Sequence, residues 1–371
     1  MIATAPGKLI LTGEYAVLDG APALVIAVDR RVVARRNVGP RGSSEFLVAI
    51  VEEIIARKGK DHPAARAAAE IVVDSSAFYM SSTPDRPAAR ARRSTGSSPV
   101  IDVSIGLPGA QKLGIGSSAA VTVAATALAL AADCETMPVI DREEVLAIAS
   151  AAHATAQGPR GTRGSGADIA SAVFGGVIAF QRETPDRAAW PIDAAARERA
   201  SAFEGGTVDR LAWPAGVTLL PFFTGASADT PTLVAAVQAA RERDRVAVEA
   251  ALKASDQAAR AACQACAMRV PEIAANALLA AMSLAANATD RLAAATGVAL
   301  VPACVTNARI AMARLRGTAK TTGAGGGDIG VAVLPSTEDV TEAKRLLIEA
   351  GCQPLALTVD RTGVDLQPDA Q

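Results

Sequence analysis

The segment KLGIGSSAAVTVAATALAL, from Lys112, constrains this chain more than any other. Gly114 and Gly116 permit backbone angles closed to other residues. Ser117, Ser118 and Ala119 then open an apolar helix predicted to run to about Ala132. Such a loop aims several backbone N–H groups, and the positive end of the helix, at one point. That is an anion site, most naturally for phosphate. The Ser hydroxyls add donors, or an oxygen ligand for Mg²⁺. Taken alone, the same pattern also suits a plain N-cap after a glycine turn.

Two nucleotide motifs are tested against this loop. A Walker A loop needs Gly-Lys-Ser/Thr, which is missing. A dinucleotide fingerprint is nearly met by Gly114-x-Gly116-x-x-Ala119, with Asp133 roughly 20 residues on. That acid should end a second strand, yet the helical pattern runs almost to Asp133. Two further segments are of the same kind. In APGKLILTGEYAVLDG, Lys8 begins an apolar strand, so its ammonium must emerge at a strand end or point into a cleft. In AKTTGAGGGDIG, Gly323, Gly325, Gly326 and Gly327 leave the backbone almost bare between a helix and a strand. Glycine this dense costs folding entropy; close approach of a ligand would explain that cost, and a plain flexible loop is the alternative.

Composition narrows the rest. The chain has 371 residues, 37 Lys+Arg against 38 Asp+Glu, and two His. A net charge of −1 excludes a general nucleic-acid binder, which needs a basic face. Half the residues are hydrophobic, which excludes wholesale disorder. Aromatics are 3%, so the core must come from Ala, Val, Leu and Ile. The longest apolar stretch, Ala119 to Ala132, is interrupted by Thr and falls short of the ~20 residues of a membrane span. No signal peptide is expected, and an odd count of five Cys suits a reducing, cytoplasmic compartment. Cys263 and Cys266 form a CxxC in an Ala-rich helical stretch with no second pair, so they are expected to be thiols without metal.

Length predicts two domains. KLILTG, PALVIAV and RRVVARR are expected as strands. Phe46, Leu47, Ile50, Val51, Ile54 and Ile55 fall at helical spacing up to Gly59. DRPAARARRSTGSSP is expected to be an exposed loop, and VIDVSI a strand. Helices are expected at Glu143–Gln157 and Ala167–Phe174, with strands at Val177–Gln181 and Val217–Phe223. Long Ala-rich helices reach about Ala295, and IGVAVL and a last helix–strand pair follow. Low-complexity sequence at Asp193–Gly206 is the expected inter-domain region, dividing 1–205 from 206–371. The mixture in both halves gives an α/β or α+β class in two domains.

The three segments, in this order, resemble the galactokinase–homoserine kinase–mevalonate kinase–phosphomevalonate kinase (GHMP) superfamily, from residue 3 to about residue 334. VDSSAFY at Val73, AH…QG at Ala152, His153, Gln157 and Gly158, GSGADIASAVFGG at Gly164, and TGASADTPTLV at Thr224 fit it too, as does Asp328. The details look most like the phosphomevalonate kinase branch. There are departures. PRGTR, residues 159–163, looks inserted, and Ile329 stands where many relatives have Cys. Mevalonate kinases carry a Glu metal ligand eleven positions before the catalytic Asp; here that position is Gln157.

The resemblance implies a ribosomal-protein-S5-like N-terminal domain, a ferredoxin-like C-terminal domain, and a cleft for ATP, Mg²⁺ and a small-molecule acceptor, 5-phosphomevalonate. It implies catalytic roles for Lys8 and Asp168. Lys112, Gly114, Gly116, Ser117, Ser118 and Ala119 would hold the nucleotide, Ser118 also serving the metal. Tyr15, Ser165, Gly166, Gly323, Gly325 and Gly326 would hold the acceptor. A monomer or homodimer is expected, with no nucleic acid or membrane partner.

Two polyphosphate anions must meet in such a site, and Lys8 is the expected neutralising cation. Arg160, Arg163, Lys112 and Lys320 are further candidates. Asp168 begins a short helix, where the dipole favours a carboxylate. A phosphate acceptor, with second pKa ~6, is already mostly ionised at pH 7 and hardly needs a base. Asp168 is therefore expected to orient Lys8 and the acceptor, and His153 to be a helix-packing residue. An alcohol acceptor, mevalonate or a sugar, would instead require Asp168 as base. A non-catalytic nucleotide-binding relative is the third possibility, opposed by intact Lys8, Ser117, Ser118 and Asp168.

Overall fold

Two long antiparallel strands organise the first half. β1 (Ile2–Thr12) and β2 (Pro22–Arg36) pair along their length, with a register shift between Pro6 and Gly7. Pro6 has no N–H for the ladder, and a bulge is where a strand tolerates it. Asp29 and Arg30 fall in this shift, so PALVIAV and RRVVARR, expected as two strands, are one. The computed structural model describes residues 1–36, 44–80, 111–132, 134, 137–158, 164–184, 198–203 and 205–369. The DRPAARARRSTGSSP loop, the VIDVSI strand, Asp133 and the 159–163 insertion with Arg160 and Arg163 lie outside the described residues.

After β2 come α1 (Glu45–Lys58), α2 (Pro63–Ala68), β3 (Ile71–Asp74), β4 (Tyr79–Met80) and β5 (Gln111–Lys112). Then follow α3 (Ser117–Leu130), α4 (Arg142–Gln157), α5 (Ala167–Phe174), β6 (Val177–Arg182), β7 (Glu198–Phe203) and β8 (Gly206–Leu211). Every residue of α3 except Ser118 and Leu130 is buried. A helix apolar all round must run through the core, and α3 packs on β1 and β2 and on α1, α4 and α5. Its many Ala side chains let these neighbours close around it. That is how a chain so poor in aromatics fills its interior.

The second half holds β9 (Val217–Phe223), α6 (Thr230–Arg243), α7 (Arg245–Ala267), α8 (Pro271–Thr296) and α9 (Ala303–Ala313). It ends with β10 (Thr318–Thr321), β11 (Ile329–Pro335), α10 (Val340–Glu349), β12 (Gln353–Pro354) and β13 (Asp365–Gln367). One sheet has the order β13-β1-β2-β6-β8-β7, with β3 also on β2. The other is β10-β11-β9-β12 and antiparallel. Its β-α-β-β-α-β succession is ferredoxin-like, with the α6–α9 bundle as the first helical crossover.

The expected division at 205/206 falls between β7 and β8, which pair with each other, and β8 pairs with β6. Glu198–Phe203 and Gly206–Leu211 therefore form a hairpin of the first sheet, and the change of sheet comes after Leu211. The chain end also returns: β13 pairs with β1, and Arg31 joins Asp360 and donates to Gly363 O at 2.6 Å.

Among the described residues no helix is long and apolar enough to cross a membrane. The five cysteines are free, and burial pushes the thiols of Cys263 and Cys266 up, the latter to about 12.

Candidate active site

The three glycine-rich segments meet around one cleft of about 510 Å³, between the two sheets' loops. Lys8 sits within β1, not at its start, two residues past the Pro6 bulge. Its N–H donates to Ile115 O at 2.8 Å, tying the strand to the loop before α3. Gly116 has φ +81°, and a Cβ there would lie 3.0 Å from Lys8 Cε. The glycine lets the lysine stem run across the loop, so that loop and ammonium face the same space. The cap residue of α3 is this glycine, and no side chain caps the helix. Its first intrahelical donor is Ala120 N–H, to Gly116 O. The N–H groups of Ser117, Ser118 and Ala119 thus have no intrahelical acceptor, as an anion site requires.

Asp168 lines the same cleft from the first turn of α5, where Oδ1 accepts from Ile169 N–H at 3.0 Å. Burial pushes the Lys8 ammonium below the usual lysine range, while the charges of Asp168 and Asp328 oppose that shift. Asp328, which ends GAGGGD, lines the cleft as well. It adopts φ +53°, uncommon outside glycine. Its N–H donates to Ala226 O at 2.7 Å, and its carbonyl accepts from Thr224 N–H at 2.9 Å. Those bonds hold the strained backbone, which costs roughly 1–3 kcal/mol and is tolerated mostly at functional sites. The carboxylate occupies the space where a Cβ of Gly114 would be. Burial raises its pKa, against the pull of Ala228 N–H, Lys8 and Lys112.

Of the expected site residues, the cleft brings together Lys8, Tyr15, Lys112, Gly114, Gly116, Ser117, Ser118, Ser165, Asp168, Gly323 and Gly325. Three do not line it. Ala119 is fully buried against the core, and only its N–H is free for a ligand. Gly166 caps α5 with φ +88°, its open side facing Phe180. Gly326 donates to Leu300 O at 2.7 Å and faces Leu233 of α6. Each shapes or underlies a loop of the cleft without lining it.

Lys320 is not a cleft cation. It is 1% exposed and ion-paired with Glu14, and it donates to Thr321 O at 2.6 Å. Glu14 lines the cleft floor, and burial raises its carboxyl against the pull of Lys320. Next to it, Tyr15 adopts φ +59° and its hydroxyl donates to Ala324 O at 2.7 Å. These two contacts fasten the turn after β1 to the third glycine loop. Glu14 was legible only as an acid inside an otherwise apolar GEYAVL run. Glu14→Gln is expected to cost about 3–5 kcal/mol, because it strands a buried ammonium. The urea midpoint of the variant checks this, and Lys320→Met added to it should restore much of the loss.

The comparisons with known proteins come down on one family. Residues 86–176 match the N-terminal domain of the GHMP kinases. The chain is 30% identical to the phosphomevalonate kinase of Streptomyces sp. (strain CL190), over 97% of each chain. In fold it resembles the Lin0012 protein of Listeria innocua, with TM-score 0.70 and 20% identity, covering 100% of both chains. It also resembles the Streptococcus pneumoniae phosphomevalonate kinase in complex with phosphomevalonate and AMPPNP. There the TM-score is 0.66 at 17% identity, over 97% of this chain and 100% of that one. With a relative aligned along nearly its whole length and the α+β architecture shared throughout, the chain belongs to the GHMP kinases, ATP-dependent kinases of small molecules.

Proposed function

We propose that this enzyme is a phosphomevalonate kinase of the mevalonate (isoprenoid) pathway, acting in the cytoplasm. It passes the γ-phosphoryl of ATP to the phosphate of 5-phosphomevalonate, giving ADP and 5-diphosphomevalonate. The observation that carries this reading is the full-length relationship to the Streptomyces phosphomevalonate kinase. The chemistry of the cleft supports it: an uncapped helix N-terminus, Lys8 and Lys112 converge where two polyanions would meet.

Phosphoryl transfer is chiefly positioning and charge stabilisation. The loop Gly114–Ser118 would hold the nucleotide phosphates on the free N–H groups of α3. Lys8 would offset the charge gathering between donor and acceptor. The charges of Asp168 and Asp328 act on that ammonium against the effect of its burial. Ser165 and the Gly323–Gly325 loop, held by Tyr15, would bound the acceptor side.

Among the described residues no group of three or more His, Cys, Asp or Glu is placed to hold a metal. Ser118 Oγ and the Asp168 carboxylate line the cleft and are the oxygens that would hold Mg²⁺. That set fits Mg²⁺, which is commonly held by one or two protein oxygens together with substrate phosphates and water. When bound, Mg²⁺ supplies charge neutralisation to the phosphates.

The test is ADP release with 5-phosphomevalonate, mevalonate and a sugar panel, at saturating Mg²⁺·ATP. kcat/KM for 5-phosphomevalonate should exceed the others by roughly 10²-fold or more, because an acceptor without phosphate leaves the site's cations unpaired. Comparable turnover on mevalonate would transfer the assignment to an alcohol kinase with Asp168 as base.

A further inference from the structure

Beside the cleft, four groups on three segments form one hydrogen-bonded chain whose direction is set by chemistry. It begins at the N–H of Gly164, which can only donate. Gln157 Oε1 accepts from it at 3.2 Å. The amide is thereby oriented, and its Nε2 turns toward His153 Nε2, 3.4 Å away. An amide nitrogen is a donor only, so the ring nitrogen must accept and the ring proton must sit on Nδ1. Ser118 Oγ lies 3.2 Å from the same ring nitrogen. A hydroxyl beside a nitrogen that carries no hydrogen donates to it, so Ser118 O–H and the Gln157 N–H share the single lone pair of that nitrogen. His153 is 4% exposed, and its ring stacks on Phe46 with centroids 5.3 Å apart and planes at 26°. The ring is wedged, and Ser118 is the one member of the chain on the phosphate loop.

We propose that His153 is a positioning residue of the active site: by accepting a hydrogen bond from the Ser118 hydroxyl it turns that oxygen's lone pairs into the cleft, as a ligand for the nucleotide-bound cation. Without His153 the hydroxyl rotates freely and spends part of its time presenting a proton to a cation. Gln157 is the element that sets the direction. A carboxylate at that position could only accept, and would draw the ring proton to Nε2. The role of His153 is then more than helix packing, and the Gln that departs from the mevalonate kinase pattern has a physical consequence. The proposal rests on the cleft holding a metal nucleotide, but not on which acceptor it uses.

The chain's two histidines make the test direct. His62 caps α2, its Nδ1 accepting from Ala64 N–H at 3.1 Å, so its proton belongs on Nε2. In the full chain with ¹⁵N-labelled histidine, two-bond ¹H–¹⁵N spectra at neutral pH should show opposite tautomers: Nδ1–H for His153 and Nε2–H for His62. Gln157→Glu should move the His153 proton to Nε2. Calorimetry with Mg²⁺ and a non-hydrolysable ATP analogue supplies the second readout. His153→Leu should weaken binding about 10-fold or more, the usual scale for groups that orient a metal ligand. In a Ser118→Ala background the same change should add almost nothing. His153→Gln, whose amide oxygen can reach the place of Nε2, should recover most of the loss. A His153 proton on Nε2, or on both nitrogens, in the unaltered protein overturns the proposal. So does an equal effect of His153→Leu with and without the Ser118 hydroxyl, which would make the ring core packing alone. If His153→Leu does not fold, the tautomer decides by itself. Neither readout involves a phosphoryl acceptor, so failure here is distinct from a wrong acceptor.

Discussion

Lys8→Met is expected to lower turnover about 10³-fold or more, the scale of losing a principal transition-state stabiliser. The variant keeps the stem that lies along Gly116 and removes only the charge. Asp168→Asn should lose less. It preserves shape and hydrogen bonding, and a phosphate acceptor ionises unaided near pH 6. The comparison is made on rate against pH at saturating ATP. Asp168→Asn should retain an acidic limb at roughly pH 6, set by the acceptor itself. The alkaline side concerns Lys8. Its ammonium is held below the usual value of 10.5 by burial, so the neutral form accumulates earlier as pH rises. In the free enzyme, kcat/KM for ATP should therefore decline at a pH below 10.5, and Lys8→Met should lack that decline. If Asp168→Asn is the more damaging change and also abolishes the acidic limb, Asp168 is a general base and the acceptor is an alcohol.

Gly116→Val is expected to abolish nucleotide binding while the protein still folds. At φ +81° a β-branched residue is strained, by roughly 1–3 kcal/mol. That is tolerable against the ~5–15 kcal/mol by which a domain is usually stable. The functional damage is larger, because the side chain fills the loop's concave face. Its Cβ alone would press on Lys8 at 3.0 Å from Cε and 3.1 Å from Cγ. The measurements are nucleotide affinity by calorimetry and folding by urea titration of the same sample. Unchanged affinity in a folded variant would mean that the loop merely starts a helix.

Much of this site was legible because its chemistry is local. A glycine loop running into an apolar helix carries its own anion site, since the free N–H groups and the dipole belong to the helix itself. Ser117, Ser118, Gly114 and Gly116 could therefore be named from spacing alone. The α3 and α5 helices, and β9, were readable for the same reason: their apolar runs have sharp glycine or proline boundaries. Lys8 could be singled out as a cation on an apolar strand, and Asp168 as an acid in a first helical turn.

What the sequence left open depends on contacts between distant segments. Lys320 and Lys8 are both lysines on apolar strands, but the first is paired with Glu14 and the second lies along the Gly116 loop and lines the cleft. Asp328 became a site residue only when a positive φ turned it toward Gly114. The edge hairpin β7–β8 joined the first sheet through its partner β6, about 20 residues back across low-complexity sequence. His153 is a packing residue by its helix position and a donor-fixing residue by its neighbours, Ser118 and Gln157. Backbone donors and helix dipoles are written into the order of residues. Which side chain is desolvated, paired or aimed at a ligand is settled by segments far apart in the chain, because charge and hydrogen-bond direction depend on what else is within a few ångströms.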